Sequence, residues 1–244
     1  MAETVAIERH RRGNRWTHWI NGPVLLVMIW SGLRIYWADL RDPFGVGIGA
    51  WHWFDLFPTW FNETFDLERR LARGLAFHLT FGWIFVLNGL AFGVYLIRTG
   101  GWRNFVPTAA DLRTIPAVLA HDLGLRKEAP PQGKYNGVQQ LSYAAVIVMG
   151  FLAALSGFAI YKPTQLSFLT AAFGGYEAAR FVHFWVTIGF VLFIVVHLLQ
   201  VFRAGAANLW TMVTGYELLT VEADATDEIE KTDQTDDAHE KVTT

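Results

Sequence analysis

The sequence predicts an all-α membrane protein, a four-helix transmembrane bundle with both termini in the cytoplasm. Three features of the 244 residues predict it: four separate apolar runs, the lack of Asp and Glu inside any of them, and a one-sided placement of Lys and Arg around them. A hydrocarbon core about 30 Å thick is spanned by about 20 helical residues, each rising about 1.5 Å. The runs from Trp16 to Trp37, Leu71 to Ile97, Val138 to Ile160 and Ala179 to Phe202 each hold 22 or more residues. Helices buried in a soluble protein rarely reach that length four times over with so few charges.

In chain order, residues 1–15 form a basic arm with Arg9, Arg11, Arg12 and Arg15. Such an arm before an apolar stretch imitates a signal peptide, but the stretch is too long and no small-x-small cleavage site follows it, so a retained helix is expected. The next loop, PFGVGIGAWHWFDLFPTWF, is aromatic but interrupted by Pro43, Asp55 and Pro58, which puts it at the membrane interface rather than across the bilayer. A loop carrying Arg103, Arg113, Arg126, Lys127 and Lys134, with Arg98 at its edge, joins the second and third runs. Between the third and fourth, QLSFLTAAFGGYEAAR predicts a short surface helix before Gly174 and Gly175 turn the chain. Residues 16–220 thus make the transmembrane domain. Residues 221–244 hold nine acidic residues, two lysines and no aromatic side chain, too little apolar surface to offset the entropy of ordering, so a disordered acidic tail is expected.

Basic residues concentrate on the cytoplasmic side of membrane proteins, which assigns the arm and the second-to-third loop to that side. On the opposite side, Arg41, Arg69, Arg70 and Arg73 are accompanied by Asp39, Asp42, Asp55, Glu63, Asp66 and Glu68, and the second outer loop has only Lys162 and Arg180. The formal charge of -2 averages a basic body and an acidic tail, and gives no sign of a nucleic-acid partner. The chain has no cysteine, which excludes disulfides, Cys-ligated zinc, thiolate-held iron-sulfur clusters and covalently attached c-type haem.

Of eight histidines, His10, His121 and His239 fall in polar arms or loops and His52 lies in the aromatic outer loop, all read as solvated. His18, His78, His183 and His197 lie inside the apolar runs, where an ionisable group is costly and marks a functional site or a hydrogen bond to a neighbouring helix. His183 and His197 are 14 residues apart, about 3.9 turns, so they share a face about 21 Å apart along one helix. In the topology above, His78 and His183 fall at an outer level, His18 and His197 at an inner one. Two opposed imidazoles with no carboxylate nearby fit the axial ligation of a non-covalent b-type haem. Zinc would require two further ligands, and a proton relay would require acidic groups. Gly74, Gly82, Gly89 and Gly93 share the face of His78, which fits either room for a macrocycle or close small-residue helix packing. Arg73 and Arg180 at the outer level and Arg15 at the inner one are the cations available for propionates.

The stretches NRWTHWING, KYNGVQQLSY, RFVHFWVTIGFVLFIVVHLLQVF and MVTGYE resemble the four-helix cytochrome b subunits of formate dehydrogenases, hydrogenases and thiosulfate reductases. They are most similar to bacterial cytochrome b561-like proteins associated with sulfite-oxidase-like molybdoenzymes. The resemblance runs from about Arg9 to Glu217. It implies two b haems ligated by His18, His78, His183 and His197, and a quinone site at Asn136, a residue that also reads as an Asn-Gly turn or helix cap. The function expected is electron transfer across the bacterial inner membrane between a quinone pool and an extracytoplasmic redox partner such as a molybdoenzyme. Two other readings stand beside it: a quinone oxidoreductase that reacts directly with a small acceptor such as superoxide, and a haem-free transporter or scaffold.

Overall fold

A computed structural model describes residues 3–36, 45–48, 51–55, 59–67, 71–122, 124–128 and 136–221. The acidic tail past Val221 lies outside the described residues. In chain order the elements are β1 (Glu3–Glu8), α1 (Arg12–Tyr36), β2 (Gly45–Ile48), β3 (Trp51–Asp55), α2 (Thr59–Thr64) and α3 (Leu71–Thr99). A short 3-10 turn (Gly101–Phe105) is followed by α4 (Ala109–Asp122), α5 (Gly137–Tyr161), α6 (Ser167–Ala172), α7 (Tyr176–Thr214) and β4 (Tyr216–Val221). The chain divides into two compact units, residues 17–197 and residues 1–16 with 198–244.

Helices α3, α5 and α7 are long and apolar enough to cross a membrane. Helix α1 matches α5 in length, 25 residues each, but is more polar. Its polar side chains have partners: the amide of Asn88 on α3 donates to Asn21 Oδ1 at 2.8 Å and to the Thr17 carbonyl at 3.0 Å. Within residues 17–197 the buried positions include Ser31, Arg34, Asn88 and Ser156, whereas Leu87, Leu90, Val94, Phe151, Leu192 and Val196 are exposed. Polar side chains buried beside Val24, Leu96 and Phe190, with large apolar ones outside, suit a bundle whose solvent is lipid, where helices associate through packing and hydrogen bonds.

The first outer loop contains structure that its composition did not announce. Strands β2 and β3 form an antiparallel pair with Gly47 opposite His52 and an irregularity between Val46 and Gly47. After α2 the chain is pinned to α1: Trp30 Nε1 donates to the Phe65 carbonyl at 2.8 Å, and Arg34 donates to Asp66 at 3.0 Å. The second outer loop forms α6 as expected, and Gly174 and Gly175 turn the chain with φ of 88° and 113°, a region only glycine enters freely.

On the other side, α4 packs against the start of α5. A Cβ on Gly137 would lie 2.8 Å from Thr114 Oγ1 and 2.9 Å from the Asp111 carbonyl carbon, so only glycine fits. Helix α4 begins with a reciprocal cap in which Asp111 N donates to Thr108 Oγ1 at 3.2 Å and Thr108 N donates to Asp111 Oδ2 at 2.9 Å. Those bonds from Thr108 hold the Asp111 carboxyl below the usual carboxylate range.

In the terminal unit the basic arm is paired rather than free. Strand β1 runs antiparallel to β4, with Glu3 opposite Val221 and Glu8 opposite Tyr216. The amides of Arg9 and His10 both donate to the Gly215 carbonyl, at 2.9 and 3.2 Å, and Arg9 forms an ion pair with Glu217. Helix α7 is broken at Gly205, whose φ of 81° and ψ of 169° are not helical. The break lies beyond His197, so the helix carrying both of its histidines is continuous between them.

Candidate functional site

The four membrane-depth histidines meet in two pairs. His78 on α3 and His183 on α7 have ring centroids 6.0 Å apart with planes inclined by 73°. His18 on α1 and His197 on α7 also stand 6.0 Å apart, inclined by 62°. A metal–imidazole bond of about 2.0–2.1 Å, with the ring centroid about 1.1 Å behind the nitrogen, puts two rings on opposite sides of one metal about 6.3 Å apart. Both pairs therefore have the spacing that two imidazoles would need to hold one metal-centred group between them. Among the described residues no cluster of three or more His, Cys, Asp and Glu side chains forms.

The outer pair has its proton placement determined by the backbone. His78 Nδ1 lies 3.1 Å from the Met28 carbonyl and 3.1 Å from Ser31 Oγ. A carbonyl can only accept, so Nδ1 carries the proton and Nε2 presents its lone pair, the form a metal ligand takes. His183 Nδ1 lies 2.9 Å from Ser156 Oγ, with the Ala153 carbonyl facing the same ring. The two histidines line a cleft that is open in part to its surroundings. Gly82 and Gly157 line its walls, and Phe85 and Phe190, in edge contact at 6.4 Å, also line it. At the inner pair, His197 stacks on Phe193 at 5.6 Å with planes inclined by 12°, and Trp19 meets His18 edge-on.

The glycines of α3 divide between the two roles expected of them. A Cβ on Gly74 would press on Arg34 and Ile35 at 3.1–3.3 Å, so that glycine serves helix packing. Gly89 and Gly93 have nothing within 4 Å, and neither does Gly22, one turn after His18 on α1. Because Gly89 and Gly93 share the helical face of His78, the empty space lies on the histidine-bearing side. At the outer level, residues and room both fit a macrocycle.

Asn136 is the N-cap of α5. Its Oδ1 accepts from Gln139 N at 2.8 Å, and Gln139 Oε1 accepts from Asn136 N at 3.2 Å. The cap leaves the Asn136 Nδ2 donor, and the buried Gln140 Oε1 has no hydrogen-bond partner among the described residues. Of the expected propionate cations, Arg73 is exposed, Arg180 pairs with Glu177 at 3.2 Å, and Arg15 donates to the Val213 carbonyl. The side chain of His52 lies outside the described residues. Sequence reasoning missed Arg34, which is 1% exposed, lies over the Trp30 ring at 4.7 Å and has an Nε without a partner among the described residues. It also missed Ser31 and Ser156, although the repeated pattern Ser-Gly-x-x-Ile-Tyr at 31–36 and 156–161 was there to be read.

A helical membrane bundle that presents facing imidazoles, without carboxylates, is built as a membrane cytochrome of the b type. The family model for prokaryotic cytochrome b561 matches residues 9–215, and the chain belongs to that family. Its members are membrane proteins that bind b-type haem and transfer electrons. Membership removes the motive for a haem-free transporter or scaffold. Among curated proteins, "Putative protein-methionine-sulfoxide reductase subunit YedZ1" of Azospira oryzae is 31% identical over 188 residues, covering 77% of this chain and 86% of that protein.

Proposed function

We propose that the chain is a di-haem cytochrome that carries electrons between a quinone pool and a redox protein on the extracytoplasmic face of the bacterial inner membrane, with four crossing helices and both termini cytoplasmic. The observation that carries this reading is one geometry repeated at two levels, histidine pairs with ring centroids 6.0 Å apart. His78 and His183 would hold the outer haem, His18 and His197 the inner one. When bound, the group supplies one-electron exchange between ferric and ferrous iron, while the protein sets ligand orientation, burial and local polarity. Phe85 and the buried Phe190 stand seven residues inward from His78 on α3 and His183 on α7, about 10 Å along each helix, and line the same cleft.

At the cytoplasmic level, Asn136 Nδ2 is a donor suited to a quinone carbonyl and Gln140 Oε1 an acceptor suited to a quinol hydroxyl. Oxidation of a quinol there releases two electrons and two protons. The name of the Azospira relative points to protein-bound methionine sulfoxide as the final acceptor, consuming two electrons and two protons to give the thioether and water. The resemblance noted above points to a molybdoenzyme of the sulfite-oxidase type as the partner that performs that step. Electron flow is then from quinol to the outer partner.

The test is a haem count with single substitutions. His78→Ala and His18→Ala are each expected to leave one haem per chain, with different reduced absorption bands lost. Retention of two haems in either variant, or loss of the same one in both, would overturn the ligand assignment. Quinol-driven haem reduction that is unchanged in Asn136→Ala would sink the quinone site.

A further inference from the structure

The outer pair of histidines is held by two copies of one backbone device. On α1, the Met28 carbonyl and the Ser31 hydroxyl, three residues later, both face His78 Nδ1. On α5, the Ala153 carbonyl and the Ser156 hydroxyl, again three residues later, face His183. Each serine is completely buried and is followed by a glycine. A Cβ on Gly32 would come 3.3 Å from His78 Cε1, and a Cβ on Gly157 would come 3.3 Å from His183 Cε1. The glycine lets the ring edge approach the helix, and the serine receives its N–H.

Proton accounting assigns the direction of these bonds. Ser156 Oγ lies 2.6 Å from the Leu152 carbonyl and Ser31 Oγ lies 3.2 Å from the Met28 carbonyl, so each hydroxyl spends its single proton on its own helix. Toward the imidazole, each oxygen can then only accept. At the inner level, His197 is stacked on Phe193.

We infer that Ser31 and Ser156 are paired positioning residues for the outer haem, fixing the Nδ1–H form of both ligands and lowering that haem's reduction potential relative to an unsupported ligand pair. An N–H that donates to an oxygen acceptor leaves more electron density on the opposite nitrogen, which makes it a stronger donor to iron and favours the ferric state. His78 keeps the Met28 carbonyl as a partner when Ser31 is lost, and the Ala153 carbonyl remains on the side of His183 that Ser156 faces, so the hydroxyl tunes rather than creates the ligand. The inference rests on the ligand assignment proposed above, and the experiment separates the two.

Redox titration followed by the haem absorption bands is carried out on the purified full chain and on Ser31→Ala, Ser156→Ala and the double variant, with His78→Ala identifying the outer haem. Each alanine variant is expected to keep both haems and to move the outer potential upward, the double variant further than either, with the inner potential unchanged. Full haem content with a wild-type outer potential in both single variants would overturn the inference, as would equal movement of both haems. If alanine empties the outer level, Ser31→Thr and Ser156→Thr keep the hydroxyl. Recovery of haem with threonine supports the role, and failure with threonine as well overturns it. If His78→Ala retains two haems, the ligand assignment itself has failed, whatever the serine variants do.

Discussion

Replacing Gly89 and Gly93 with leucine sets two accounts of the α3 glycines against each other with opposite signs. If these glycines exist so that a neighbouring helix can pack closely, each leucine overfills a tight contact and costs about 1–3 kcal/mol. If they leave room for a cofactor, the haem-free protein has nothing to collide with, since a Cβ at either position meets no atom within 4 Å. Removing a helix-interior glycine then gains about 0.8 kcal/mol per site from backbone entropy, about 1.6 kcal/mol for the pair. The expected result is a haem-free protein at least as stable as wild type in chemical unfolding, combined with a fall from two haems to one per chain in a pyridine haemochromogen assay. The haem lost is expected to be the one that His18→Ala also removes. Two haems retained in the double variant would refute the cradle, and a haem-free protein destabilised by 2 kcal/mol or more would restore the packing account.

Gly189 offers the contrasting case: a Cβ there would sit 2.7 Å from Met149 Sδ, so Gly189→Ala is expected to lose about 1 kcal/mol or more in unfolding, softened by movement of the thioether. Gly137→Ala faces backbone that cannot yield, and is expected to detach α4 from α5, read as faster amide exchange across residues 109–122. Asp111 has its carboxyl held below the usual range by Thr108, so the α4 cap is present at and above the unfolded carboxylate pKa of about 3.9 and is lost as pH falls through the lower folded value. Exchange of the first α4 amides is therefore expected to be protected equally at pH 7 and pH 5 and to accelerate below about pH 4, with Asp111→Asn removing that pH step. Asn88→Leu removes two interhelical hydrogen bonds and is expected to cost about 1 kcal/mol, with a broadened inner-haem band because Thr17 and Asn21 flank His18.

The histidine pairing was legible because it depends only on helical rise and on which end of each helix is outside. Four positions and two rules place His78 with His183 and His18 with His197, and the ring geometry agrees. What escaped reading depends on contacts across long stretches of chain. Arg34 looks like an ordinary cation near a helix end until Asp66, in a loop, is seen to pair with it. The β1–β4 ladder joins residues such as Arg9 and Glu217 that no local pattern connects, although both strands carry alternating or β-branched residues. Ser31 and Ser156 look unremarkable in apolar runs, where a serine commonly bonds back to its own helix. They do so here as well, and their function toward the histidines comes from the lone pair that remains.

The repeated Ser-Gly-x-x-Ile-Tyr pattern also separates what is shared between the two levels from what is not. The shift that carries Ser31 to Ser156 on the first helix of each hairpin, and the shift that carries His78 to His183 on the second, pair Phe85 with Phe190 as well. The outer histidines therefore occupy positions related by the same shifts, one on α3 and one on α7. Applied further inward, the same shifts carry His18 to Tyr143 and His197 back to Phe92. Those two counterparts hold aromatic rings in place of imidazoles, and Phe105 lies in edge contact with both, at 6.1 Å from Phe92 and 5.4 Å from Tyr143. The inner level is thus asymmetric, with histidines on α1 and α7 and an aromatic cluster on α3 and α5. Tyr143 is two turns from the Asn136 cap on the same helix, so the cluster lies on the side where the quinone site is proposed. The Ser-Gly-x-x-Ile-Tyr repeat thus accompanies matched histidines at one level and a histidine pair set against an aromatic cluster at the other.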